Sequence, residues 1–107
     1  MTPSARVALA ALTFATPWVL AQTAAPADMT LARNLAATCA NCHGTNGMAR
    51  GDMKPLAGVS AGKITALVAD FKSGNQPATI MHQIAKGYSD EQIALVAAYF
   101  AAQPAKP

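Results

Sequence analysis

In the second half of the chain, apolar positions recur with the period of an α-helix. Within "KITALVADFKSG" (63–74), Ile64, Leu67, Val68 and Phe71 stand at i, i+3, i+4 and i+7, which predicts an amphipathic helix closed by Ser73-Gly74. The next stretch, "NQPATIMHQIAKG" (75–87), predicts a short helix initiated at Pro77 and ending at Gly87. In "YSDEQIALVAAYFAAQPAKP" (88–107), Ile93, Val96, Ala97 and Phe100 form one apolar stripe, with Leu95 and Tyr99 flanking it. Ser89 with Gln92 three residues later is the pattern of a capping box, and Asp90 and Glu91 occupy the first turn, where the helix dipole favours acids. Upstream, "TLARNLAATC" (30–39) carries Leu31 and Leu35 on one face, predicting a helix capped by Asp28 or Thr30 and running into Cys39. No segment alternates with period two over a useful length, so an all-α fold is expected.

Between the first and second helices, "HGTNGMARGDMKPLAGVSAG" (43–62) holds five glycines and a proline and predicts a long irregular loop. A loop of that length in a small domain is expected to wrap something.

The N-terminal stretch has a different character. Arg6 supplies a positive n-region, Val7 to Ala15 an apolar run short for a bilayer span, and Val19-Leu20-Ala21 a small-residue cleavage pattern. Residues 1–21 are therefore expected to be an export signal; the competing reading is an uncleaved membrane anchor. Residues 22–27, "QTAAPA", are expected to be a flexible leader, and 28–107 a single domain. Arg6 and Trp18 leave with the signal, so the mature chain has seven basic against five acidic side chains and no tryptophan. That mild charge, without a clustered basic run, excludes a nucleic-acid binder as the leading class. A domain this small has a thin core and often depends on disulfides, a metal or a cofactor.

The chemistry concentrates in "CANCH" (39–43), which holds the chain's two cysteines and one of its two histidines. A redox disulfide of the thioredoxin kind needs a βαβ setting that the pattern lacks. A structural zinc site needs four ligands, and beyond Cys39, Cys42 and His43 only His82 remains, with His43 awkwardly adjacent to Cys42. Covalent haem attachment accounts for all three side chains: the thiols of Cys39 and Cys42 form thioethers with the vinyl groups, and His43 falls beneath the porphyrin as an iron ligand. A covalent macrocycle also supplies the missing apolar bulk, so the domain is expected not to fold without it.

For the opposite face of the iron, the candidates are Met29, Met48, Met53, Met81 and His82. Met29 precedes the first helix, and Met48 and Met53 lie close behind the motif on the proximal side. Met81 is 38 residues beyond His43, far enough to come round to the distal face. Core filling is its ordinary alternative role. A soft thioether there favours Fe(II) and raises the potential. His82 is the rival, but neighbouring residues on a helical turn point about 100° apart, so one of the two faces the iron.

"CANCHGTNG", the following "KPLAG", "FKSGNQPATIMHQIAKGYSDEQIALVAAYF" and the helix order resemble the class I cytochromes c. Residues 71–100 are most similar to the cytochrome subunit of flavocytochrome c sulfide dehydrogenase, with the cytochrome c4 group close behind. The resemblance implies three to four short helices around one covalent haem c, with His43 and Met81 as axial ligands and Cys39 and Cys42 as attachment points. It also implies that Pro55 presents its carbonyl to the ring N–H of His43, fixing the imidazole. Many cytochrome subunits of this kind carry two haem motifs, whereas these 107 residues contain one.

The expected function is periplasmic electron transfer by a carrier that is no enzyme by itself. The resemblance implies electrons arriving from an FAD-containing flavoprotein that oxidises sulfide and leaving to a further cytochrome c, with no nucleic acid and no stable membrane insertion. The alternative is a free-standing soluble carrier, similar to cytochromes c4 and c5, delivering electrons to a terminal oxidase or other acceptor. A peroxidase-like haem enzyme needs an open sixth site, and a sensor needs a signalling domain or exchangeable ligand. Lys54, Lys63, Lys72 and Lys86 are candidates for steering an acidic partner, though solvated lysines are the commoner case.

Overall fold

The structure, a computed structural model, describes residues 26–107. The expected export signal and residues 22–25 of the expected leader lie outside the described residues. Four helices, α1 (Pro26–His43), α2 (Ala61–Ser73), α3 (Met81–Lys86) and α4 (Asp90–Ala101), are joined by a short 3₁₀ turn at Thr45–Gly47 and by irregular loops. No strand occurs among the described residues, as the sequence pattern anticipated.

Boundaries differ from expectation at two helices. α1 starts at Pro26, within the stretch read as leader, and continues past Cys39 to His43. Proline suits a first helical turn because its missing N–H has no intrahelical partner there. Its buried residues are Ala32 and Ala36, while Leu31 is 49% exposed, so the leucine pair does not define the inner face. α3 begins at Met81 rather than Pro77, with Ile80 as an N-cap that makes no side-chain capping bond. Pro77 disfavours helical geometry for Gln76, and the β-branched pair Thr79-Ile80 gives little local help.

α4 follows its sequence signals closely. Ser89 Oγ accepts from the Gln92 backbone N–H at 3.2 Å while Gln92 Oε1 accepts from the Ser89 N–H at 2.9 Å, completing the capping box. The Glu91 backbone N–H and the Ser89 side chain hold the Glu91 carboxyl below its usual range. Lys72 Nζ reaches Asp90 at 2.9 Å and ties α2 to the same turn. Ser89→Ala is expected to cost about 1 kcal/mol. In a domain this size that lowers the thermal midpoint by roughly 4–8 °C, measurable by circular dichroism.

Ile93, Val96, Ala97 and Phe100 are all buried, and the last three, with Ala36 of α1 and Ile64 of α2, make the centre of the fold. α1 packs on α4, α4 on α2, and α2 on α3. The core is thin: its remaining buried apolar members are Ala32, Ala49, Ala57 and Ala85, and Phe100 is the one large side chain fully enclosed among the described residues. Much apolar surface stays open, with Leu67 and Ile84 each 38% exposed, Met53 43% and Ile80 53%. Leu67 therefore departs from the buried stripe expected for α2.

The long loop is ordered by bonds to the turn behind α1. The N–H groups of Leu56 and Ala57 both donate to the Gly47 carbonyl, at 2.9 and 3.2 Å, and Gly58 N–H donates to the Phe100 carbonyl at 2.9 Å. Gly47 has φ 78°, and a Cβ there would stand 2.5 Å from the Ala57 nitrogen and 2.9 Å from the Phe100 ring. Gly47→Ala is expected to destabilise the fold by about 2–3 kcal/mol, read as a lower denaturant midpoint.

Candidate functional site

The last turns of α1 carry the chemical groups. Cys39 is half-buried against the core cluster, Cys42 is exposed, and His43 closes the helix, half-buried. The two thiols are free rather than bonded to each other. Burial pushes the Cys39 thiol above its ordinary range, against weaker opposing hydrogen bonds from Thr38 and from the Cys39 backbone. A redox-active C-x-x-C pair needs the opposite, a stabilised thiolate. Among the described residues no three His, Cys, Asp or Glu side chains converge on a point where a metal ion would be held, so a structural zinc centre lacks its donor set.

Gly44, directly after His43, allows the chain to leave the helix. Its φ is 82°, and a Cβ would lie 2.3 Å from the Met48 carbonyl oxygen. The Thr45–Gly47 turn and the loop held to it then bring the Lys54 carbonyl to His43 Nδ1, at 2.7 Å. A carbonyl only accepts, so Nδ1 carries the proton and the lone pair lies on Nε2, the nitrogen free for a metal. The acceptor corrects the expectation for Pro55: the carbonyl comes from the residue before it. Pro55 contributes through its ring, which restricts the conformation of Lys54 and thereby aims that carbonyl. The C-x-x-C-H spacing contains no sign of Lys54; the marker is the proline that follows it.

Met81 is the first residue of α3 and is half-buried, as is His82. α3 packs on α2, so Met81 is placed by a different part of the fold from the α1 groups. His82 Nδ1 is buried without a hydrogen-bond partner. Met29, Met48 and Met53 are exposed by 47%, 40% and 43%. Lys54, Lys63 and Lys86 are exposed, whereas Lys72 is engaged with Asp90.

Two features outside the sequence reading brace this region. Tyr99 O–H donates to Asn46 Oδ1 at 2.6 Å, holding the turn behind His43 against α4, and Tyr88 bonds through its hydroxyl to Thr38 on α1. Asn46 has φ 56°, a left-handed conformation asparagine tolerates better than most residues.

A haem c suits this donor set. Two unpaired thiols on successive turns are available for thioethers, an imidazole is fixed in the tautomer with Nε2 unprotonated, and an alanine-rich core leaves leucine, isoleucine and methionine side chains uncovered for a large apolar group.

Comparison with known proteins agrees. The chain is 41% identical over 66 residues to the cytochrome subunit of sulfide dehydrogenase from Chlorobaculum tepidum, covering 62% of this chain and 60% of that one. It is 43% identical over 72 residues to the thiosulfate dehydrogenase electron acceptor of Stutzerimonas stutzeri, covering 65% of this chain but 33% of the relative. Over 70 residues it is 37% identical to cytochrome c-554(548) of Halomonas halodenitrificans, covering 62% of this chain and 84% of the relative. The chain thus spans less than two thirds of the first two relatives. Residues 26–100 match the family model described as "Cytochrome C oxidase, cbb3-type, subunit III", and the chain belongs to that family of class I c-type cytochromes.

Proposed function

We propose that this chain is a periplasmic electron carrier, covalently loaded with one haem c through Cys39 and Cys42 and ligated by His43 and Met81. The observation that carries the reading is the His43 imidazole, held at the end of the C-x-x-C-H helix with Nδ1 committed to the Lys54 carbonyl and Nε2 left as the donor atom. When bound, haem c supplies an iron that changes between Fe(III) and Fe(II). The chain's own groups set the conditions for that exchange. The Lys54 carbonyl orients His43 and increases its donation, and the Met81 thioether favours the reduced state. Two fixed protein ligands leave no position for a substrate, so the chain acts as a carrier and not as an enzyme by itself. Export rests on the signal expected at residues 1–21. No helix among the described residues is long and apolar enough to cross a membrane.

The donor we propose is an FAD-containing flavoprotein that oxidises sulfide, and the acceptor a further cytochrome c. Support comes from the named likeness to a cytochrome subunit of sulfide dehydrogenase. The exposed Lys54, Lys63 and Lys86 suit an acidic partner surface, with Lys72 weakened for that role by Asp90. The test is gentle purification of the tagged protein from its own periplasm, with absorption spectra before and after sulfide. Flavin absorption beside the haem bands, with haem reduction by sulfide, is expected. A second reading, a free-standing carrier, is favoured by the 84% coverage of cytochrome c-554(548). Low-spin haem without flavin and without a response to sulfide would decide for it.

A further inference from the structure

α3 is too short to hold its own position. It has six residues, no side-chain cap at Ile80, and a single buried side chain, Ala85. Isolated helices need at least twice that length to be even marginally stable in water, so its placement depends on its surroundings. Packing on α2 supplies one support. The other is at its C-terminal end. Gly87 keeps right-handed helical dihedrals, φ −77° and ψ −3°, and the Tyr88 N–H bonds back to the Ala85 carbonyl at 3.3 Å. Tyr88 therefore stands directly behind the last turn of α3 and is tied back to it by this bond.

The Tyr88 hydroxyl is bonded to Thr38 Oγ1, fifty residues away on α1. Each hydroxyl has one hydrogen to give and can also accept, and Thr38 Oγ1 has the Leu35 carbonyl within reach as a further acceptor, at 3.0 Å. Thr38 directly precedes Cys39 and lies four residues before Cys42, on the same face of α1 as that thiol. Phenylalanine could fill the half-buried space of the Tyr88 ring. The hydroxyl alone makes the bond to α1.

Resting on the His43/Met81 reading above, we propose that Tyr88 is a positioning residue for the distal ligand: its bond to Thr38 ties the segment that begins with Met81 to the helix that carries Cys39, Cys42 and His43. Ala85 is the buried pivot of this short segment, and Tyr88 fixes the end opposite Met81. Without the hydroxyl the segment swings more freely about the pivot, and Met81 yields more readily to a competing ligand.

The test uses holoprotein. Imidazole affinity of the ferric form and the temperature at which the far-red methionine-to-iron band disappears are measured for the unaltered protein, Tyr88→Phe, Thr38→Val and the double variant. Tyr88→Phe and Thr38→Val are each expected to keep haem and band at low temperature and to bind imidazole about fivefold more tightly, the scale of one net hydrogen bond. The double variant is expected to show no further gain, because both changes remove the same bond. Tyr99→Phe deletes a similar tyrosine bond, to Asn46, and is expected to lower the unfolding temperature while leaving imidazole affinity within about twofold. An unaltered imidazole affinity in Tyr88→Phe, or an equal rise in Tyr99→Phe, would overturn the proposal. If the unaltered protein lacks the far-red band, Met81 ligation and the proposal fall together. If the band is present and Tyr88→Phe behaves like the unaltered protein, only the positioning role falls.

Discussion

Replacing Cys39 and Cys42 together with alanine is expected to abolish cooperative folding. Truncating Cys39, which packs on the core, removes about 1 kcal/mol by itself, and the exposed Cys42 removes less. On the proposed covalent attachment, the larger consequence is loss of haem, and with it of the apolar bulk that the thin core is expected to need. Among the described residues, alanines at 32, 36, 49, 57, 85 and 97 account for six of the ten buried apolar residues, and Ile80, Ile84, Leu67 and Met53 remain substantially open. Fixing each residue costs about 1–2 kcal/mol of conformational entropy, which so thin a core does not offset. Far-UV circular dichroism on heating is the check. The unaltered protein should show a sigmoidal transition, and the double variant a weak helical signal that declines without one. A cooperative transition in the variant would mean that the helices carry their own stability.

Met81→Ala is expected to leave haem attached while opening the iron to external ligands. The far-red methionine band should vanish, and the reduction potential should fall by on the order of 0.1 V or more, a fraction of the ~0.8 V range that axial ligands command. His82→Ala should do neither. His82 has one observation in its favour: its buried, unpartnered Nδ1 is the sort of orphan that calls for an explanation. The paired variants decide between adjacent residues, and an open iron in His82→Ala with the methionine band intact in Met81→Ala would transfer the distal role to His82. Spectroelectrochemical titration of both provides the numbers.

The helices differed in how far the sequence revealed them, for physical reasons. α4 was legible throughout because its signals are local and agree: the Ser89–Gln92 box starts it, and Ile93, Val96, Ala97 and Phe100 repeat at the helical period. The end of α2 was legible because Gly74, at φ 82°, takes a left-handed cap that glycine adopts freely. α1 misled because its buried face is alanine, which hydrophobic periodicity weighs lightly beside Leu31. α3 misled because Pro77 looks like a helix start, whereas the chain stays irregular through Ile80. At the proposed site, the spacing of Cys39, Cys42 and His43 is what marks them as candidates. The partner of His43 carried no such mark: a backbone carbonyl has no residue type, and Pro55 marked the place while Lys54 supplied the oxygen. The Thr38–Tyr88 and Asn46–Tyr99 bonds join residues about fifty positions apart, which only the folded topology brings together.

The central claim, one haem bound covalently at Cys39 and Cys42, is tested most directly by the intact mass of the protein isolated from its own periplasm, recorded under denaturing conditions with absorption followed on the same chromatogram. The account predicts a chain beginning near Gln22 with the added mass of one haem, its absorption travelling with the denatured polypeptide. A polypeptide at its bare mass, or lighter by two hydrogens for a Cys39–Cys42 disulfide, would contradict it.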